Sequence, residues 1–494
     1  MKAVAHPHLP GLKLDKPPVA YDQAKAIGHI RRLIWVYLVL LIFEGTLRKW
    51  VLPQFSSPLL LVRDPVLLAI YALAIRARIF PQNVWVITLE ILAALSWISG
   101  IIVMQPYFPL KSVILVTGFG VRSNFLHLPL IFIIARVLDR EDVRRVGWWT
   151  IAGMIPLALL MAMQFAASPY SLLNVAAGGE GTQMFAGAGK VRPAGFFSFV
   201  SGTVYYAAAT AAFLLHAIMA KLPYKQWLLY SSAGALIVAL SVSGSRSTVL
   251  AVLAVIAAVA VILLIRPSLV NRFGRQLLIV VAVLWAVSYL PIVQQGLDVL
   301  WGRFTESTED ATVVGGLFER ILQPFSEAGA MLGWVPLGGR GIGLGTSGGA
   351  SFLTGEASFL LAENEWTRIL LESGPILGTA FILWRTAFLV KLGWFAVRQV
   401  RAGNTLPMFL FAAGMFVILQ GTFGQPTSLG FAVVLGGLCL AARAKEEAEP
   451  EKPTIPAAAE RQTELMRPRR RSAYAAHLHT PRPRPFPDHG PADR

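Results

Sequence analysis

The feature that most limits the fold of this chain is a succession of about 12 apolar runs, each of roughly 20 residues. A helical run of that length matches the hydrocarbon core of a bilayer. Of the 494 residues, 55% are hydrophobic and only 14% are charged, which is far too apolar for a soluble protein. Because a helix satisfies its own backbone hydrogen bonds in lipid, the sequence predicts an all-α, polytopic integral membrane protein.

Basic connections fall on alternate sides of the predicted spans, at 76–78, 136–145, 221–225, 266–275 and 391–401. The positive-inside rule places these connections, and with them both chain termini, in the cytoplasm. The fourth span is the least clear, because residues 111–124 could be loop, re-entrant or helical. The predicted spans are 33–51, 58–75, 84–104, 119–138, 147–166, 197–219, 227–243, 248–265, 277–293, 366–390, 405–422 and 427–442.

The composition divides the chain into three parts. Residues 1–32 are basic and contain proline, and we interpret them as a cytoplasmic segment before an uncleaved signal anchor. Residues 33–442 form the transmembrane domain. Residues 443–494 are rich in Pro, Arg, Glu and Ala and are predicted to be a disordered, basic cytoplasmic tail.

Charge and cysteine content exclude several classes of function. The net charge of +17 is typical of a basic cytoplasmic face, so no nucleic-acid partner is expected. The single cysteine, Cys439, lies inside an apolar run, which excludes disulfides and cysteine-based metal sites. Histidine and carboxylate spacing gives no metal constellation either, and no cofactor or metal is expected.

Two long connections are predicted on the outer face. Residues 167–196 are glycine-rich, and residues 294–365 form a large periplasmic loop between spans 9 and 10. Within the large loop, apolar residues at helical spacing in 315–334 predict a short helix on the membrane surface.

Many cations remain on the predicted outer face, against the insertion bias. Since the guanidinium fork suits phosphate oxygens, these cations favour an anionic ligand there. The alternative is that several pair with carboxylates such as Glu44 and Asp64, or with lipid headgroups. The cations are Arg48, Lys49, Arg63, Lys111, Arg122, Lys190, Arg192, Arg246, Arg303, Arg320, Arg340 and Arg368.

Arg246 is the sharpest of these candidates. It lies in a connection of a few residues between two apolar spans, flanked by Gly and Ser. An arginine so close to the bilayer edge is a functional candidate. The alternative is an arginine that snorkels from a helix end to the interface.

The segment 362–379 places four polar side chains at the predicted outer mouth of a helix: Glu363, Asn364, Glu365 and Arg368. A carboxylate at such a mouth could deprotonate an acceptor hydroxyl as a general base. The alternative is a polar helix start whose acidic residues favour the positive end of the helix dipole.

A glycine-rich segment precedes this helix. Gly343, Gly345 and Gly348 formally match a dinucleotide-binding pattern, but no βαβ context surrounds them. We therefore interpret Gly343 and Gly345 as part of a flexible turn whose backbone amides bind phosphate or sugar hydroxyls.

Together these motifs resemble the O-antigen ligase and O-antigen polymerase superfamily. Ser245-Arg-Ser-Thr-Val-Leu250 is similar to the family's Arg-x-x-x-Leu element, and a large late loop ends in a Gly-x-Gly-x-Gly turn. Asn364, nine intervening residues, Gly374 and then Gly378-Thr379 are close to the family's His-Asn-x9-Gly-x-x-Gly-Thr pattern. The chain departs from that pattern at Glu363, which stands in place of histidine, and its terminal glycines are spaced by three residues rather than two.

The resemblance implies a bacterial inner-membrane enzyme that handles lipid-linked glycans in the periplasm. The expected activity is metal-independent, inverting transfer or polymerisation of glycan from a polyprenyl diphosphate donor to a glycan or lipid acceptor. Membrane lipids and other polysaccharide assembly proteins are the further expected partners. The alternatives are a transporter or flippase for a lipid-linked or small anionic substrate, for which Glu90 is the most isolated intramembrane charge, and a non-catalytic scaffold.

The expected roles of individual residues follow from the same resemblance. Arg246, with Arg192 and Arg340, would hold the diphosphate and stabilise the leaving group. Glu363, or alternatively Glu365, would act as the base in the place of the family histidine, or that chemistry has been lost. The expected substrate-binding residues are Arg192, Arg340, Asn364, Glu365, Arg368, Gly343 and Gly345.

Overall fold

The computed structural model of this protein describes residues 19–179, 181–187, 189–269, 289–305, 323–354, 361–362 and 364–443. Within these residues the chain is a bundle of helices with one small antiparallel hairpin, formed by β1 (Phe185–Gly187) and β2 (Lys190–Val191). The helices are α1 (Val19–Thr46), α2 (Asp64–Arg76), α3 (Val84–Met104), α4 (Leu110–Val121), α5 (Leu130–Val137), α6 (Arg140–Ala166), α7 (Val200–Met219), α8 (Gln226–Val242), α9 (Arg246–Ile265), α10 (Pro291–Thr305), α11 (Ser347–Thr354), α12 (Glu365–Arg401), α13 (Leu406–Gln420) and α14 (Pro426–Ala441).

The all-α membrane fold agrees with the prediction. In the described part of the chain, 8 helical segments are long and apolar enough to cross a bilayer. Three further apolar helices, α8, α13 and α14, are shorter and lie at predicted spans. The predicted span 277–293 falls largely on residues outside the described ranges, so the total of 12 stays a prediction.

Several predicted boundaries differ from the structure. Helix α1 begins at Val19, well inside the predicted N-terminal segment, and its Arg31 pairs with Asp139 and Asp142 beside the start of α6. Helix α10 occupies the start of the predicted large loop and packs on α8. A helix at 323–331 covers part of the predicted surface helix 315–334. The predicted tail lies outside the described residues from 444 onward.

The fourth span is mostly helical but not regular. Helix α4 passes into a π-helical turn, Arg122–Leu126, before α5 begins. This wider turn brings Arg122, Ser123 and Asn124 into the interior, where all three are buried. The uncertain stretch 111–124 therefore belongs to a span that carries polar side chains into the bundle.

Helix α12 folds back on itself at Gly374. This residue has φ 79° and ψ 172°, which is not helical, and Pro375 follows it. A straight helix would separate Glu365 from Arg385 by roughly 30 Å, yet their side chains form an ion pair at 2.8 Å. The two arms of α12 therefore lie side by side, and Gly374 is a hinge between them rather than a small residue in a continuous helix.

Candidate functional site

Five buried polar side chains, which we call the Arg368 cluster, join the two arms of α12 to the π-helical turn: Asn124, Glu365, Arg368, Glu372 and Arg385. Arg368 donates to both oxygens of Glu365 at 3.0 Å, to Glu372 at 2.7 Å and to Asn124 at 2.8 Å. Arg385 donates to Glu365 at 2.8 Å. Two arginines face two carboxylates, so the cluster is formally neutral, as burial in a low dielectric requires.

The break in α12 is closed by the glycine-rich segment. Pro375 has no N–H, so the carbonyl of Leu371 loses its helical partner. The backbone N–H of Arg340 donates to that carbonyl at 2.8 Å, and the N–H of Gly341 donates to the carbonyl of Glu372 at 3.1 Å. The segment therefore completes the backbone hydrogen bonding of the hinge.

Gly343 and Gly345 lie in this segment at positions that admit no side chain. Gly343 has φ 97°, and a Cβ there would lie 2.1 Å from the carbonyl oxygen of Val116. A Cβ on Gly345 would lie 2.6 Å from Cγ of Arg368, and the N–H of Gly345 donates to Glu372 at 2.8 Å. In place of the expected flexible turn, the structure has a tightly packed segment whose amide at Gly345 already binds a carboxylate.

The predicted helix mouth also differs in its surroundings. Glu365 and Arg368 are 2% and 0% exposed, so they lie inside the bundle rather than at an outer opening. Asn364 caps the N-terminus of α12, and its side-chain amide donates to Glu327 at 2.7 Å. Glu363, the predicted base, lies outside the described residues.

A second group of polar side chains, the Arg63 cluster, joins α1, α2 and the π-helical turn: Tyr37, Glu44, Arg48, Arg63, Asp64, Arg122 and His127. Glu44 lies 3.4 Å from Arg63 and 3.5 Å from Arg48. Asp64 binds Arg122 at 2.8 Å. Pairing with Glu44 and Asp64, the alternative weighed for the outer cations, is confirmed for these three arginines. Three arginines against two carboxylates still leave an excess of positive charge.

A largely apolar cavity of about 630 Å³ lies beside the second cluster, between α1, α6, α7 and α14. Its walls run along α6 from Val146 to Pro156, which corresponds to about 15 Å of helix. It is lined by Trp35, Leu38, Val39, Leu41, Ile42, Phe43, Val146, Trp149, Thr150, Ala152, Gly153, Pro156, Phe196, Tyr206, Ala209, Phe213, Phe431, Val434, Leu435 and Leu438.

One end of this cavity lies next to cationic side chains. Phe43 and Phe196 line that end. Thr46 donates to the carbonyl of Phe196 at 3.2 Å, and the buried ammonium of Lys49 donates to the carbonyl of Gly195 at 2.6 Å. The turn at residues 195–198 thus separates the apolar cavity from Lys49, which lies just after the end of α1.

The structure brings two of the predicted phosphate-binding arginines to one turn. Arg246 begins α9, directly after Gly244 and Ser245. A Cβ on Gly244 would lie 2.8 Å from Cβ of Ala186 in the hairpin and 3.6 Å from Cγ of Arg192. The hairpin therefore holds Arg192 against the turn that carries Arg246. Arg340 lies elsewhere, beside the hinge of α12, and is exposed.

Sequence reasoning missed three members of the Arg368 cluster. Glu372 was detectable, because it follows Arg368 by four residues and Glu365 by seven, which places all three on one helical face. Arg385 reaches Glu365 only because α12 folds back. Asn124 reaches Arg368 only through the π-helical turn. Neither contact has a signal in local spacing.

No protein-family model matches this sequence, and no curated protein is significantly similar to it. The likeness to O-antigen ligases and polymerases therefore rests on the motifs and their order alone.

Proposed function

We propose that this protein is a membrane-embedded glycosyltransferase that transfers or polymerises glycan from a polyprenyl diphosphate donor. The observation that carries the proposal is the apolar cavity that ends beside cationic residues. An isoprenoid diphosphate needs both features next to one another: an apolar chain several helical turns long, and donors for phosphate oxygens. The 630 Å³ cavity lies within the size range of small-molecule binding sites.

In the proposed complex the isoprenoid tail occupies the cavity and the diphosphate lies along residues 192–198. Arg192 precedes Phe196 by four residues, so their Cα atoms are at most about 14 Å apart. Arg246 shares the turn against which Arg192 packs. Lys49 contacts the same segment through the carbonyl of Gly195. These contacts support the assignment of phosphate binding to Arg192 and Arg246.

The reaction would be a single displacement with inversion. The acceptor hydroxyl attacks the anomeric carbon while the bond from that carbon to the phosphate oxygen breaks, and polyprenyl diphosphate departs with the electron pair. The hydroxyl proton passes to the carboxylate of Glu363. Arg192 and Arg246 stabilise the negative charge that develops on the leaving group.

The Arg368 cluster supports the site without touching substrate. It fixes the first turn of α12, which begins two residues after Glu363 in the sequence, through Glu365 and Arg368. Through Glu365 it also accepts the backbone N–H of Phe423, at 3.2 Å. Glu365 and Arg368 are thus proposed as positioning residues, in place of the substrate contacts expected from the sequence.

The test is a profile of lipid-linked and surface polysaccharide in a strain that lacks the gene. The strain is complemented at matched membrane expression with wild type, Arg246→Ala, Arg192→Ala, Glu363→Gln or Lys111→Ala. Lys111 is an exposed cation at the start of α4 and serves as the control. We expect lipid-linked repeat units to accumulate in the deletion strain, and only wild type and Lys111→Ala to restore polymer.

Full complementation by the Arg246, Arg192 and Glu363 variants would overturn the proposed chemistry. If the repeat units instead remain on the cytoplasmic side of the membrane in the deletion strain, the protein is a transporter. If purified wild-type protein forms no product from a polyprenyl-diphosphate glycan while the deletion still abolishes polymer, a scaffold function replaces the enzyme.

A further inference from the structure

A second pocket lies between the start of α6 and the turn that joins α7 to α8. Its volume is about 380 Å³. Both walls carry cations and aromatic rings, and we call it the α6–α8 pocket. Its charged and aromatic lining residues are Glu141, Arg144, Arg145, Trp148, Tyr224, Lys225 and Trp227.

The frame of this pocket is held by specific contacts. The hydroxyl of Tyr224 donates to the backbone carbonyl of Arg144 at 2.8 Å. The guanidinium carbon of Arg144 lies 5.9 Å from the centre of the Tyr224 ring. Burial raises the pKa of Tyr224, so its hydroxyl stays protonated and keeps donating at neutral pH. The first turn of α6 is fixed by a capping box between Asp139 and Asp142.

The pocket has an excess of positive charge. Among the described residues that line the pocket, Glu141 is the one carboxylate, and it lies 3.5 Å from Arg144 and 3.7 Å from Arg145. These side chains are 41% to 64% exposed, so the ion pairs are weak and open to exchange. Among the described residues Lys225 forms no ion pair. Three cations against one carboxylate leave a formal charge of +2.

Exposed tryptophans mark the pocket as a feature of the membrane interface. Trp148 and Trp227 line it and are 38% and 61% exposed, and the neighbouring Trp149 is 62% exposed. Indole rings prefer the headgroup level of a bilayer, where one edge contacts water and the face contacts acyl chains. A ligand in this pocket therefore meets cations and apolar ring faces together.

We propose that the α6–α8 pocket binds the phosphate of an anionic phospholipid. Arg144 and Lys225 donate to the phosphodiester oxygens, and Trp148 and Trp227 pack against the glycerol and the first acyl methylenes. The charge of +2 favours a lipid with two phosphodiesters, such as a diphosphatidylglycerol, over a lipid with one. This site is separate from the proposed glycan chemistry and does not depend on it.

The test measures lipid binding to the purified full chain in detergent by native mass spectrometry, with diphosphatidylglycerol, phosphatidylglycerol or phosphatidylcholine added at equal concentration. The variant Arg144→Ala with Lys225→Ala is compared with Arg76→Ala with Arg401→Ala. The second pair removes the same charge from two exposed cations outside the pocket. Melting curves of both double variants are recorded to test whether they are folded.

We expect diphosphatidylglycerol to bind best and phosphatidylcholine least. The pocket variant should bind diphosphatidylglycerol about tenfold or more weakly, while the control pair stays close to wild type. Equal losses in the two double variants, or no loss in the pocket variant, would overturn the proposal. Competition by millimolar inorganic phosphate would support phosphate recognition. Binding of phosphate without binding of any anionic phospholipid would assign the pocket to a free anion instead.

Discussion

Removing one positive charge from the Arg368 cluster should destabilise the protein more than removing one positive and one negative charge together. In Arg368→Met the cluster changes from neutral to one net negative charge, because Glu365 and Glu372 then face Arg385 alone. Glu365 keeps Arg385 at 2.8 Å. Among the described residues, Glu372 keeps only the N–H of Gly345, at 2.8 Å, and the amide of Asn124, at 3.4 Å. Leaving the buried carboxylate of Glu372 without a cationic partner lowers the free energy of unfolding by about 3–5 kcal/mol.

The size of the effect in a melting experiment follows from the unfolding entropy. At about 2 cal/mol/K per residue over about 400 residues, 3–5 kcal/mol lowers the melting temperature by about 4–6 °C. In the double variant Arg368→Met with Glu372→Gln the cluster is neutral again, and the glutamine oxygen still accepts from Gly345. We expect the melting temperature of this double variant to recover about half of the decrease seen in the single variant, although it carries one more substitution.

The single cysteine provides the assay. Cys439 is 1% exposed in α14, so a thiol-reactive fluorogenic dye reports unfolding without further labelling. Lys111→Met, which removes an exposed cation, is the control and should melt with wild type. Because membrane proteins often unfold irreversibly, all variants are heated at one rate. The reasoning is refuted if Arg368→Met melts within about 1 °C of wild type, or if the double variant melts no higher than the single one.

Three further outcomes follow from the structure. The Gly120→Ala variant should unfold or fail to accumulate, because its Cβ would lie 2.4 Å from the backbone nitrogen of Gly343. Gly118→Ala on the same helix is the control: its Cβ meets nothing within 4 Å, so this variant should melt at the wild-type temperature. Ala152→Phe, which fills the apolar cavity, should lower polymer formation severalfold at unchanged expression, and unchanged polymer yield would remove the cavity from the site. Glu90→Gln should retain full polymer formation, because Glu90 is exposed on the outside of α3, and loss of function there would favour transport along the membrane interior.

The membrane helices were predictable because each apolar run can be recognised from its own residues alone. Length and hydropathy locate a membrane helix without any knowledge of its neighbours. The same rule cannot detect a reversal inside one apolar run, which is what Gly374 and Pro375 produce in α12. A Gly-Pro pair in a span is consistent with a kink as well as a reversal. The Glu365–Arg385 ion pair distinguishes the two, as does Gly378, where a Cβ would lie 3.0 Å from the carbonyl oxygen of Ile369.

The site was less predictable because its contacts are long-range. Arg192 and Arg246 are separated by an entire helical hairpin, yet the β1–β2 hairpin brings Arg192 to the turn before α9. The spacing of Glu365, Arg368 and Glu372 is enough to predict one helical face, but not that this face turns inward. Amphipathic spacing gives the relative directions of side chains. It does not tell whether a polar face meets water or a buried set of partners.

The ions of the Arg368 cluster differ from buried ion pairs that apolar side chains can replace. Such replacement is tolerated when the ions satisfy only one another. Here Glu365 also accepts the N–H of Phe423, Glu372 accepts the N–H of Gly345, and Arg385 donates to the carbonyls of Ile418 and Gly421. Three of these partners, Phe423, Gly345 and Gly421, lie in non-helical backbone inside an apolar bundle, where no water replaces a lost hydrogen bond. The charges of the cluster therefore allow irregular segments to pass through the interior. An apolar core of equal volume would leave backbone N–H and C=O groups of those segments without hydrogen-bond partners.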